Sequence, residues 1–144
     1  MKVKIQYLNE KASKPEYATD GSAGMDLTAA MDKPVVLKVG GRAMIPTGIA
    51  IQIPEGYGGF VFPRSGLAYK KGISMANCVG VIDSDYTGEL KVVLHNISGH
   101  DYTVNPGDRV AQLVFMPVAK AQLEEVEELE ETQRGSGGFG STGF

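Results

Sequence analysis

Apolar residues recur at every second position in four separated runs, and this period confines the chain to an all-β fold. Val3, Ile5 and Tyr7 alternate with Lys4 and Gln6. Val35, Leu37 and Val39 form a second set, Ile49, Ile51 and Ile53 a third, and Leu90, Val92 and Leu94 a fourth. A period of two sends one set of side chains to a core and the other to solvent or a partner. Turn signals separate the runs: Thr19-Asp20-Gly21, Val39-Gly40-Gly41, Pro54-Glu55-Gly56 and Asn105-Pro106-Gly107. Their spacing of roughly 8–15 residues is that of an antiparallel sandwich or barrel. The 19 glycines and 7 prolines among 144 residues are too many for a helical bundle and suit such turns. The length fits one domain, and no internal repeat is exact.

Helix is scarce. Ser65 to Lys71, SGLAYKK, is long enough for a turn or two, with Ser65 as a candidate N-cap and Gly72 as a stop. Residues 118–131 are ambiguous: Leu123, Val126 and Leu129 have helical spacing, yet the stretch also suits an edge strand leaving the body. The last eleven residues, RGSGGFGSTGF, hold five glycines and suit neither a stable helix nor an inner strand. We expect a β domain over residues 1–133 and a flexible Gly-rich arm over 134–144 that belongs to it.

The net charge of −3 is unevenly spread. Residues 124–131, EEVEELEE, hold six of the 17 acids, and setting them aside leaves 14 bases against 11 acids, a balance of +3. No Lys/Arg block or aromatic-studded basic face accompanies that surplus, so nucleic acid is not an expected partner. A small anion held by a few placed cations fits better. Cys78 is the sole cysteine, which rules out a disulfide within the chain; a buried apolar place is expected for it. His95 and His100 lack any metal-ligand spacing. The start, MKVKIQYLNE, has no long apolar stretch, so neither a signal peptide nor a membrane span is expected, and a cytoplasmic protein is the default.

Five segments offer chemistry. Ala23 to Leu27 reads AGMDL, with Asp26 its carboxylate. Pro63-Arg64-Ser65-Gly66 follows the apolar run Phe60-Val61-Phe62 and precedes the short helix. Such a turn offers backbone N–H groups, a hydroxyl and a guanidinium fork to a phosphate, and it is equally an ordinary serine-capped turn. Val79 to Leu90 reads as a hairpin. Asp, Ser and Gly are common turn residues there, but Asp83, directly after the apolar run, is the better placed general base and should be partly buried. Asp85, nearer the tip, should be solvated. Gly107-Asp108-Arg109 enters a strand, and a local Asp108–Arg109 ion pair is the plain expectation. Gln112, polar within an apolar strand, needs partners if buried. The terminal arm has the composition of a phosphate-cradling loop without the spacing of one.

In this order, the five segments resemble the five motifs of the trimeric deoxyuridine triphosphatases (dUTPases), from about Ala23 to Gly143. The long strings GVIDSDYTG and RGSGGFGSTG make chance an implausible source of the likeness. The resemblance implies a jelly-roll β-sandwich, a homotrimer with sites at subunit interfaces, and hydrolysis of dUTP to dUMP and pyrophosphate. It implies Asp83 as the base for the attacking water, with Gln112 holding water near the α-phosphate or metal. It implies Arg64, Ser65 and Gly66 as phosphate contacts. Magnesium follows from a triphosphate substrate, held by phosphate and water oxygens, with Asp26 acting on it through water or ordering the site. Asn77 would read the uracil edge, completed by backbone groups around Val81, Ile82 and Lys91. The Tyr86 ring would lie under the deoxyribose and exclude a 2′-hydroxyl. In the arm, Arg134 would meet the γ-phosphate, Phe139 would stack on uracil, and glycines such as Gly138 and Gly140 would let the backbone wrap the phosphates. A dCTP deaminase of related fold and a catalytically silent nucleotide-binding regulator are the rival readings.

Overall fold

The computed structural model describes residues 1–138. Ten strands and one helix follow in chain order: β1 (Lys4–Tyr7), β2 (Met25–Thr28), β3 (Val35–Leu37), β4 (Arg42–Gln52), β5 (Tyr57–Phe62), α1 (Ser65–Lys71), β6 (Ile73–Met75), β7 (Gly80–Ile82), β8 (Glu89–Asn96), β9 (Tyr102–Val104) and β10 (Arg109–Pro117). One four-stranded antiparallel sheet has the order β1-β4-β8-β6, and a second has the order β2-β10-β5-β7. β3 and β9 form a small third sheet. Strands adjacent in sequence mostly lie in different sheets, as in a jelly roll.

The alternation explains the core. Leu90, Val92 and Leu94 of β8 face inward, together with Ile45, Ile49 and Ile51 of β4. They pack with Leu27 of β2, Val61 of β5 and Leu113 of β10 from the other sheet. Burying such side chains contributes about 1.5–3 kcal/mol each before the entropy of ordering them is counted. The polar Asn96 is fully buried and fully partnered: its Nδ2 donates to the Leu37 and His100 carbonyls at 3.0 and 2.9 Å, and its Oδ1 accepts from Ser98. It ties the end of β8 to β3. Lys38, at 2.7 Å, and the Val39 N–H hold the Asp101 carboxyl below its usual range beside the same small sheet.

Several sequence expectations are corrected. β1 alternates, but all four of its residues are exposed; it is an edge strand, paired only with β4. Val39 lies in the turn after β3 and is exposed. The helix has the expected bounds and stops at Gly72 in the left-handed region (φ 62°), but Arg64 is its N-cap and makes no side-chain capping bond. Residues 118–131 form neither helix nor strand and are exposed. Cys78 is exposed, not buried, at φ 59° in the turn between β6 and β7. The Val79–Leu90 segment is not a hairpin: β7 pairs with β5, and β8 pairs with β4 and β6, so residues 83–88 cross between sheets. No helix among the described residues is long and apolar enough to cross a membrane.

Candidate active site

β10 lies between β2 and β5, and its Gln112 is level with Asp26 on one side and Phe62 on the other. That register lays Asp26, Gln112 and the chain entering Pro63-Arg64 side by side. Asp26 then sits between two guanidinium groups: Arg64 Nε lies 2.9 Å from Oδ1, and Arg109 Nη1 donates to Oδ2 at 3.1 Å. Arg64 Nη1 also donates to the Arg109 carbonyl at 3.4 Å. Gln112 Nε2 donates to the Pro63 carbonyl at 3.0 Å, which leaves Oε1 as an acceptor for water. A concavity of about 310 Å³ is lined here by Ser22, Gly24, Ser65 and Gly66 together with these four side chains. Two cations against one carboxylate give it a local surplus of positive charge, suited to an anion.

The sequence does not reveal Arg109 as part of this cluster. Its expected local pair is not formed: Asp108 accepts the Asn105 N–H at 2.8 Å, while Arg109 reaches across to β2. Ser22 and Gly24 line the concavity too, without a sequence signal of their own beyond Gly24 standing in the Ala23–Leu27 segment and Ser22 directly before it.

A second concavity, also about 310 Å³, is lined by Met44, Val81, Ile82, Asp83, Tyr86, Glu89, Leu90 and Lys91. Asp83 follows the last residue of β7 and is exposed, not partly buried, because the loop crosses over the edge of the sandwich in the single chain. Asp85 is exposed, as expected. The Tyr86 hydroxyl donates to the Glu89 carbonyl at 3.0 Å, folding the ring back over the loop. That fold requires Gly88, since a Cβ there would meet the hydroxyl oxygen at 2.6 Å. Lys91 sits 3.4 Å from Glu89 on the same strand face. Asn77 is exposed in the turn before β7, near Gly80.

Register fixes the relation of the two concavities. Val61 faces Gly80 and Gly59 faces Ile82, so Asp83 comes level with Gly58. Arg64 leaves the opposite end of β5, six residues further on, which is about 20 Å at the rise of an extended strand. One chain therefore brings Asp26, Arg64, Ser65, Gly66 and Gln112 together, and separately Val81, Ile82, Asp83, Tyr86 and Lys91. It does not join the two sets. Arg134 is exposed in the arm, where Nε donates to the Gly137 carbonyl at 2.8 Å, and Gly138 follows. Phe139 and Gly140 lie outside the described residues. Among the described residues, no group of three or more His, Cys, Asp or Glu side chains is placed to hold a metal.

Comparison with known proteins agrees over nearly the whole chain. The dUTPase family model matches residues 10–143. The deoxyuridine 5'-triphosphate nucleotidohydrolase of Syntrophotalea carbinolica is 53% identical over 142 residues, covering 99% of this chain and 97% of that protein. The enzyme of the same name from Rickettsia bellii is also 53% identical, covering 98% and 95%. Among solved structures, a Staphylococcus bacteriophage 80alpha dUTPase with dUpNHpp superposes with a TM-score of 0.91 at 30% identity, covering 99% of both chains. A dUTPase from phage phi11 of S. aureus, solved with a structural Mg(II) ion, gives a TM-score of 0.83 at 30% identity, covering 91% of this chain and 100% of that one. With the family model matching residues 10–143 and relatives 53% identical over nearly the whole chain, on a jelly-roll fold shared with solved dUTPases, the chain belongs to the dUTPase family.

Proposed function

We propose that this chain hydrolyses dUTP to dUMP and pyrophosphate at sites completed between copies of itself. The observation that carries the reading is the division of the motif residues into a phosphate-suited cluster around Asp26 and an Asp83–Tyr86 concavity about 20 Å away on the same sheet. A substrate spanning base to γ-phosphate needs both, so the second set comes from a neighbouring protomer. A closed homotrimer satisfies this through one repeated heterologous interface.

In the assembled site Asp83 removes a proton from a water aligned on the α-phosphorus. The water oxygen bonds to that phosphorus as the bond to the bridging oxygen breaks, and pyrophosphate leaves. Gln112, its amide fixed by the Pro63 carbonyl, orients water through Oε1. Arg64, with the Ser65 and Gly66 backbone, receives the charge that develops on the leaving group; Arg134 meets the γ-phosphate. Asn77 and the backbone of Val81, Ile82 and Lys91 read the uracil edge. Phe139 covers it, and Gly138 and Gly140 let the arm approach the phosphates closely.

The side chains present suit magnesium bound chiefly through substrate and water oxygens. Asp26 already engages two arginines and keeps lone pairs for a metal-bound water, so it orders the cluster as well as facing the ion. When bound, the metal neutralises and orients phosphate oxygens. A deoxynucleotide substrate accords with a cytoplasmic place.

Pyrophosphate release with magnesium should occur from dUTP and not from dCTP, dTTP or UTP. Ammonia release from dCTP instead would mark a deaminase, and no turnover in a folded protein would mark a silent binder. Two further results are expected. Tyr86→Ala should lower the kcat/KM ratio of dUTP over UTP about 10- to 100-fold, because the ring that crowds the 2′ position is gone; an unchanged ratio refutes the steric role. Co-refolding equal amounts of Asp83→Asn and Arg64→Ala chains should restore about a quarter of wild-type sites, since random trimers then pair an intact Asp83 with an intact Arg64. Activity no higher than that of the separate variants would place both residues on one protomer.

A further inference from the structure

We propose that Glu89 is a positioning residue for sugar selection, acting by locking the Tyr86 ring through a bulge in β4. The inference rests on the reading of Tyr86 as the surface beneath the deoxyribose. β4 and β8 pair regularly from Arg42 to Pro46, where Pro46 is level with Lys91. Pairing resumes with Ala50 level with Glu89, so four residues of β4 span two of β8. Gly48 lies inside this bulge at φ 67°, and a Cβ there would come within 2.9 Å of those of Ala12 and Ala30. Its N–H points away from the regular ladder, and an unpaired amide in this part-buried place is costly. The Glu89 carboxylate takes it: Gly48 N donates to Oε1 at 3.0 Å. The other oxygen, Oε2, lies 3.4 Å from Lys91 Nζ.

The same residue holds the tyrosine. The Tyr86 hydroxyl donates to the Glu89 carbonyl at 3.0 Å. The Glu89 side chain thus fixes the first residue of β8 against β4, and its backbone fixes the ring. Just before Glu89 the chain is a turn crossing between sheets; beyond the carboxylate, this end is held by the Ala50–Glu89 pairing and by Thr47 Oγ1, which donates to the Leu90 carbonyl at 2.6 Å. The half-buried carboxylate, 22% exposed, spans the bulge where the ladder is interrupted. Leu90 stays fixed in the core, so removing the carboxylate loosens Glu89 alone: its carbonyl shifts, and the ring no longer defines the space at the 2′ position. A ring misplaced by about an ångström is enough to weaken a steric filter.

The test compares Glu89→Ala, Glu89→Asp and Glu89→Gln by kcat/KM for dUTP and UTP, with Tyr86→Ala as reference. Alanine removes the acceptor, aspartate keeps the charge but falls a methylene short of Gly48, and glutamine keeps the acceptor without the charge. Alanine and aspartate should lower the dUTP-to-UTP ratio about tenfold, mainly by making UTP a better substrate, while glutamine stays within about twofold of wild type. Aspartate carries the comparison if the alanine variant does not fold. Equal losses in both substrates, an unchanged ratio in aspartate and alanine, or a glutamine variant as permissive as alanine would each overturn the proposal. If Tyr86→Ala itself leaves the ratio unchanged, the reading of Tyr86 fails; if it relaxes the ratio and the Glu89 variants do not, the Glu89 role alone fails.

Discussion

Replacing Asp83 with asparagine should lower kcat at least 100- to 10,000-fold, the range by which a positioned general base accelerates proton transfer. Affinity for a non-hydrolysable imido analogue of dUTP should change by no more than a few-fold. The reason lies in the placement of Asp83. It stands just past β7, at the rim of the concavity that also holds Tyr86, and it makes no ion pair or side-chain hydrogen bond among the described residues. Asparagine keeps the shape and loses the ability to accept a proton. The fold has no need of that carboxylate, so thermal unfolding should be unaffected. Single-turnover pyrophosphate release, read beside analogue binding by calorimetry, separates the effects. Turnover near wild type would remove Asp83 as the base, and lost binding with an intact rate at saturation would make it a ligand-holding group instead.

Deleting residues 134–144 should cut kcat/KM about 100- to 1,000-fold while the assembled protein keeps its size and melting temperature. The buried core ends with Leu113, and residues 117–136 are exposed, so the described start of the arm contributes little to the fold of its own chain. What it supplies is charge and closure. In the proposed site Arg134 would add a guanidinium to phosphates that Arg64 also meets, and loss of one such placed donor costs about two to three powers of ten. A closing segment also excludes bulk water at the moment of reaction. Light scattering should give about three times the chain mass both before truncation, where the chain is 15.3 kDa, and after it, where the chain is shorter by eleven residues. Normal turnover by the shortened chain would refute the role of the arm.

The strands were legible where one face is buried on the core. Leu90, Val92 and Leu94 alternate because β8 lies over that core, and the same holds for Ile49, Ile51 and Ile53. The short helix and its stop at Gly72 were legible for a local reason, the left-handed conformation that glycine adopts without strain. β1 shows the limit of the pattern. Its alternation is as clear as that of β8, yet its apolar side chains are exposed in the single chain, because period alone does not name the surface that will cover them. Cys78 shows another limit: hydrophobic character suggested burial, while the turn that links β6 to β7 put it outside.

The ordered motifs, read from sequence, determined the family and with it the chemistry, because the residue types that handle a triphosphate lie in short contiguous strings. Which strings meet was decided only by the tertiary structure. Asp26 and Arg109 are 83 positions apart and become an ion pair through the β2–β10 register. The sequence read Val79 to Leu90 as one hairpin, but the two strands join different sheets, β7 pairing with β5 and β8 with β4 and β6. That division sets Asp83 about 20 Å from Arg64 along one strand. Local spacing is silent on such distances, because strand pairing is a long-range choice settled by which buried faces close over a common core.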